Sequence, residues 1–155
     1  MTYDVRIEQA AGIPLAVVRR QCSFPDLGKV IPDACGLVWN AIKAHQVPGA
    51  GRHVCLYLDD VFNLEIGVEL QVPWLGHGEV VGSATPAGTV AAVTHFGPYQ
   101  QLPAVHQAIR QWCRDNNRAF AGPNWDLYGH WLQEWCDDPS KIRTDVYYLL
   151  KSDAS

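Results

Sequence analysis

The sequence predicts an α+β domain built from a duplicated βαββ unit. The expected architecture is an antiparallel sheet with two helices on one face, a ligand groove on the other, and a pseudo-two-fold axis between the halves. Three observations lead there. The hydrophobic pattern runs strand, helix, strand, strand twice within 155 residues. Similar residues recur at nearly constant spacing: Ala16–Val18 and Ala91–Val93 at an offset of 75, Trp39 and Trp112 at 73, Leu56–Tyr57 and Leu127–Tyr128 at 71, Glu65–Ile66 and Asp145–Val146 at 80. The length suits one ordinary domain, 1–155, with halves at roughly 1–84 and 85–155.

Each element has a local reason. "YDVRIEQ" alternates polar and apolar, and "IPLAVVRRQC" is apolar and β-branched, so both read as strands. After the turn "SFPD", apolar residues at Leu27, Ile31, Cys35, Val38, Trp39 and Ile42 mark one helix face, and "VPGAG" ends it. Pro32 leaves the start of that helix open, between a helix proper and a short first piece. "HVCLYLD" and "FNLEIGVELQV" read as two strands, "PWLGHG" as a loop and "EVVGSATP" as a shorter strand. The second half repeats the plan with strand "GTVAAVTHF", turn "GPY" and helix 100–119, which carries Leu102, Val105, Ile109, Trp112 and Cys113 on one face. Strand "NWDLYGHWLQ", turn "DDPSK" and strand "TDVYYLLK" complete it.

Composition narrows the function. Hydrophobic residues make up 48% of the chain, enough for a real core. The formal charge is −4 and no cluster of Lys and Arg occurs, which argues against nucleic-acid binding. No apolar run is long enough to span a bilayer, and the N-terminus lacks a signal-peptide core, so a cytoplasmic protein is expected. The five cysteines form no CxxC pair and the six histidines no HxH or HExxH pattern, so no metal and no cofactor are expected.

Strand alternation then sorts side chains by face. On 124–131, Trp125, Leu127, Gly129 and Trp131 fall on one side, expected to face the helices, and Asp126, Tyr128 and His130 on the other. Phe62, Leu64, Ile66, Val68 and Leu70 are likewise assigned to the helix side, with Asn63, Glu65, Gly67 and Glu69 facing away. Val54, Leu56 and Leu58 oppose His53, Cys55, Tyr57 and Asp59, and Val146, Tyr148 and Leu150 oppose Asp145 and Tyr147. Two readings of the outward set stand. It is either a wet face or a ligand surface lined by Tyr57, Tyr128 and Tyr147 with Glu65 and Asp126 among them. A carboxylate among aromatic rings attracts a delocalised cation, each ring face adding roughly 0.5–2 kcal/mol.

"TVAAVTHFGPYQQLPAVHQAIRQW", "GPNWDLYGHW" and "RTDVYYLL" resemble the GyrI-like small-molecule-binding domain, the effector-binding half of MerR- and AraC-type multidrug regulators. The resemblance rests on His-x-Gly-Pro-Tyr at 95–99, Trp-acid-x-Tyr at 125–128 and Thr-acid-x-Tyr at 144–147, and spans nearly the whole chain. It implies the duplicated fold and a pocket for bulky, hydrophobic, often cationic molecules. It also implies that Asp126 stands where the family carries a ligand-facing Glu, one methylene longer, and that Tyr128 is the family Tyr. The chain shows no helix-turn-helix pattern, so the likeness is to stand-alone members.

The expected role is to sense or sequester a hydrophobic, cationic or aromatic small molecule, with Tyr57, Glu65, Asp126, Tyr128, His130 and Tyr147 as ligand-binding candidates. The alternative implied by the resemblance is a hydrolase of strained, cyclopropanoid-type electrophiles, with Asp126, Tyr128, His130 and Glu65 as catalytic candidates. A further alternative is a modulator that contacts DNA gyrase. Trp39 and Trp112 are expected to be packing residues, and Trp74 and Trp135 to be able to close over a pocket.

Overall fold

The computed structural model describes residues 3–129 and 132–152. In chain order the elements are β1 (Arg6–Ala11), β2 (Pro14–Gln21), α1 (Leu27–Ala44), β3 (His53–Tyr57), β4 (Asn63–Glu69), β5 (Gly76–His77), β6 (Val80–Ala84), β7 (Ala87–Phe96), α2 (Leu102–Asp115), β8 (Phe120–Tyr128), α3 (Glu134–Asp137) and β9 (Arg143–Leu150). Among the described residues nine strands form one sheet in the order β1-β7-β9-β8-β3-β4-β2-β6-β5. Among the described residues these strands pair antiparallel.

The order β7-β9-β8-β3-β4-β2 reads the same from both ends once β2 is equated with β7, β3 with β8 and β4 with β9. The pseudo-two-fold axis lies between β3 and β8. There Cys55 pairs directly with Asp126, and the 71-residue offset makes these two residues equivalent. The same offset holds through the helices. The buried residues Ala34, Val38 and Ile42 of α1 match Val105, Ile109 and Cys113 of α2. Trp39 and Trp112, expected to be equivalent at an offset of 73, therefore are not.

Two short crossings bend the sheet. β1 pairs with β7 at one end of the order, yet β2 lies six strand positions away, and only Gly12 and Ile13 join them. Three Cα steps reach at most about 11 Å, whereas six strand spacings in a flat sheet cover about 28 Å. The sheet must curl until β2 comes near β1. The equivalent crossing from β6 to β7, through Thr85 and Pro86, runs beside the first. Ile13 N donates to Thr85 Oγ1 at 2.8 Å and Thr85 N to Ile13 O at 2.9 Å.

The curl has a filled interior. Leu15, Val17, Val54, Leu56, Val90, Trp125 and Leu127 are buried together, with Tyr147 and Leu149 packed on them. The Trp125 and Tyr147 rings stack at 5.3 Å. Both helices lie outside the curl. α1 packs Ala34, Val38 and Ile42 onto Ala16, Val18, Leu64, Ile66 and Val68. α2 packs Val105, Ile109 and Cys113 onto Ala91, Val93, Val146 and Tyr148.

Several expectations are corrected here. Alternation sorts every strand into two sets as expected, but on β3 and β8 the sets are exchanged. Cys55, Tyr57, Asp126 and Tyr128 lie on the helix side, and Val54, Leu56, Trp125 and Leu127 fill the curl. The face away from the helices is a closed core and not a groove. α1 runs through Pro32, which forgoes only its bond to the Gly28 carbonyl. β8 ends at Tyr128, earlier than the strand expected to reach 133, and α3 follows.

Candidate functional site

The helices leave the middle of the sheet uncovered. α1 contacts β2 and β4, and α2 contacts β7 and β9, so the central pair β3–β8 lies between them. A cavity of about 1350 Å³ opens there, at or above the usual size for a small-molecule site. The two helices line it with equivalent residues: Ile31 and Leu102, Pro32 and Pro103, Cys35 and His106, Trp39 and Arg110. Each pair is 71 apart in sequence.

Several aromatic rings stand in the wall. Tyr57 meets Phe62 edge-on at 6.1 Å and His106 at 6.2 Å. Tyr99 meets Tyr128 at 5.6 Å, and Trp39 meets His53 at 6.1 Å. Burial, reinforced by the neighbouring Asp126 carboxylate, pushes the Tyr57 and Tyr128 phenols well above their ordinary range. They stay protonated and can donate hydrogen bonds into the cavity.

Asp126 is the buried charged group of the lining, at 2% exposure. Its Oδ1 lies 2.8 Å from His106 Nε2. His106 Nδ1 lies 2.6 Å from the Tyr148 hydroxyl, and the Arg110 guanidinium sits 5.7 Å from the Tyr148 ring centre. A carboxylate oxygen only accepts, so Nε2 donates to Asp126. In the neutral imidazole Nδ1 then accepts from Tyr148.

Of the residues expected from the sequence, Tyr57, Asp126 and Tyr128 come together here. Glu65 and Tyr147 do not. Both sit on the other face of the sheet, because β4 and β9 keep the orientation that β3 and β8 reverse. Glu65 takes hydrogen bonds from Arg19 Nε at 3.1 Å and from Ser83 Oγ. Asp145, at the position equivalent to Glu65, holds Arg52 Nη1 at 3.1 Å and Thr94 Oγ1 at 2.6 Å. His130, and Trp131 beside it, lie outside the described residues.

His106, Arg110 and Tyr148 were not singled out by the sequence. The available signal was position on the helix: His106 follows Leu102 by four and Arg110 follows His106 by four, one stripe facing the sheet centre. Trp39 lines the cavity as well, while Trp112 packs in the core as expected. Trp74 packs beside α1 and Trp135 is buried, and neither is part of the lining. In the "THFGPY" turn, Gly97 has φ 151° and its N–H donates to Ile142 O at 2.8 Å. A Cβ there would lie 3.0 Å from His95 Nε2. The turn thus serves the fold and delivers Tyr99 to the cavity. Among the described residues no three His, Cys, Asp or Glu side chains are grouped to hold a metal. No described helix is long and apolar enough to cross a membrane.

A cleft of this kind on a doubled βαββ sheet defines a small-molecule-binding domain. The chain belongs to the GyrI-like family: the model of the GyrI-like small molecule binding domain matches residues 3–151. The EcmrR C-terminal domain is similar in structure, with TM-score 0.77 and 22% identity over 98% of this chain and 99% of that one. EcmrR in a complex with DNA gives TM-score 0.78 and 21% identity over 98% of this chain, which spans 59% of that longer chain. SAV2435 bound to tetraphenylphosphonium gives TM-score 0.61 and 8% identity over 96% of this chain and 94% of that one. At these identities the structural likeness shows the fold. No curated protein matches the chain.

Proposed function

We propose that the protein binds a bulky hydrophobic molecule, aromatic and cationic, in the cavity between α1 and α2, and so senses or sequesters it. The observation that carries this reading is Asp126, a buried carboxylate on the floor of a cavity walled by Trp39, Tyr57, Tyr99 and Tyr128. Removing a carboxylate from water costs several kcal/mol. A delocalised cation regains part of that through the charge and part through the ring faces. SAV2435, the similar structure solved with tetraphenylphosphonium, supports the ligand class.

Titration with tetraphenylphosphonium, followed by tryptophan fluorescence, tests it. The expected result is saturable binding by the wild type, weakened about tenfold in Asp126→Asn, equivalent to roughly 1.4 kcal/mol. Absence of binding by the wild type removes the reading, and equal binding by both proteins removes the role of Asp126. The mass of a reactive ligand after incubation separates binding from turnover, since a hydrolase would add water to it.

A further inference from the structure

We propose that His106 sets the charge of the molecule this cavity accepts, by switching the Asp126 floor between anionic and neutral. The inference rests on the binding reading above and names its control element. Tyr148, His106 and Asp126 form one hydrogen-bonded chain, at 2.6 and 2.8 Å. With the imidazole neutral, donors run from Tyr148 to His106 to Asp126, and the three groups together carry −1. One added proton occupies Nδ1. The Tyr148 hydroxyl then turns to accept, which a phenol can do. The chain becomes an imidazolium–carboxylate pair with no net charge.

Several titratable or charged groups face His106, and a second histidine, His53, lines the cavity beside Trp39. From β3, Tyr57 meets His106 edge-on, and from β8 and β9 come Asp126 and Tyr148. The three tyrosines nearest the floor, Tyr57, Tyr128 and Tyr148, are held protonated by burial. On the α1 side, burial raises the Cys35 thiol to about 11, so it stays neutral. Arg110 lies one turn along α2 from His106, with its guanidinium over the Tyr148 ring.

The pseudo-symmetry shows that packing does not require this chain. The residues equivalent to His106, Asp126 and Tyr148 are Cys35, Cys55 and Val68, at offsets of 71, 71 and 80. In the first half Cys55 and Val68 are buried in the α1 core, and Cys35 packs against that core at the cavity wall. A fold that accepts two thiols and a valine at one set of positions has no structural need for an imidazole, a carboxylate and a phenol at the other.

The test compares two soluble ligands of one shape, methyltriphenylphosphonium and neutral triphenylphosphine oxide, from about pH 5 to pH 8, the range in which histidine titrates. In the wild type the phosphonium should bind roughly tenfold tighter at the upper end, as expected for one charge opposing another across a partly screened cavity. The phosphine oxide should show no such change. His106→Gln keeps a donor for Asp126 but cannot titrate, so its phosphonium affinity should be flat with pH. By linkage, saturating phosphonium should lower the NMR titration midpoint of His106 in the wild type by about one unit, and the phosphine oxide should leave it unmoved. That measurement needs no variant to fold. A pH dependence that persists in His106→Gln, or an unmoved His106 midpoint, overturns the proposal. Failure of both ligands to bind the wild type overturns the binding reading instead.

Discussion

The two halves of the molecule use one backbone plan for different chemistry. Around the axis between β3 and β8, the first half presents Cys35, Cys55 and Val68, and the second presents His106, Asp126 and Tyr148. Both sets sit under a helix on the outer face of the curled sheet. In the first half the set packs in and against the α1 core, with Cys35 at the cavity wall. In the second it is a hydrogen-bonded chain that ends in a buried charge. The fold therefore demands volume at these positions, and the polar chemistry is an addition that the scaffold tolerates.

That contrast can be broken from either side. The largest effect is expected for Cys55→Asp, which sets a second carboxylate directly opposite Asp126 with no imidazole to receive it. An uncompensated buried charge should cost about 3–5 kcal/mol in urea denaturation, and a loss under 1 kcal/mol would show that the first half already holds a polar partner. The converse change, His106→Cys with Asp126→Cys and Tyr148→Val, makes the second half a copy of the first. Stability should hold or rise by about 1–4 kcal/mol, since apolar replacement of a buried polar set often stabilises, while phosphonium binding is lost. A collapse of the fold in that triple variant would mean the chain is structural after all.

Finer tests sharpen the comparison. Tyr57→Phe removes one phenol donor and keeps the ring, so affinity for a phosphonium should change by less than about 1 kcal/mol, measured by the same titration. Smallest in energy is the thiol contrast. With its value raised to about 11 by burial, the Cys35 thiol is protonated at pH 8 and should resist iodoacetamide although it lines the cavity. Exposed Cys136 should react first, as read by peptide mass. Rapid labelling of Cys35 would show that the cavity wall is wetter than its burial implies.

Much of this was legible in the sequence, and the limits are instructive. The order of elements, the doubling and the partition of 125 and 127 from 126 and 128 follow from periodicity. The placement of Tyr57, Asp126 and Tyr128 together follows from that partition and the 71-residue offset. His106 was not singled out because it is one of several polar residues on α2, and nothing local says that its ring lies 2.8 Å from a carboxylate twenty residues on. Glu65 and Tyr147 were grouped with the site because their strands alternate in the same way. The helix faces them only if all the strands share one phase, and they do not.

The sequence by itself determined which residues share a face, because the two-residue period of a strand is a local property of the backbone. Only the tertiary structure decided which face is which. Alternation carries no sign, and the sign here is set by the two-residue crossings at Gly12–Ile13 and Thr85–Pro86, which force the sheet to curl. Curling buried the tryptophan side of β8 inside the molecule and left the aspartate side beneath the gap between the helices, so that a single carboxylate became the floor of a cavity.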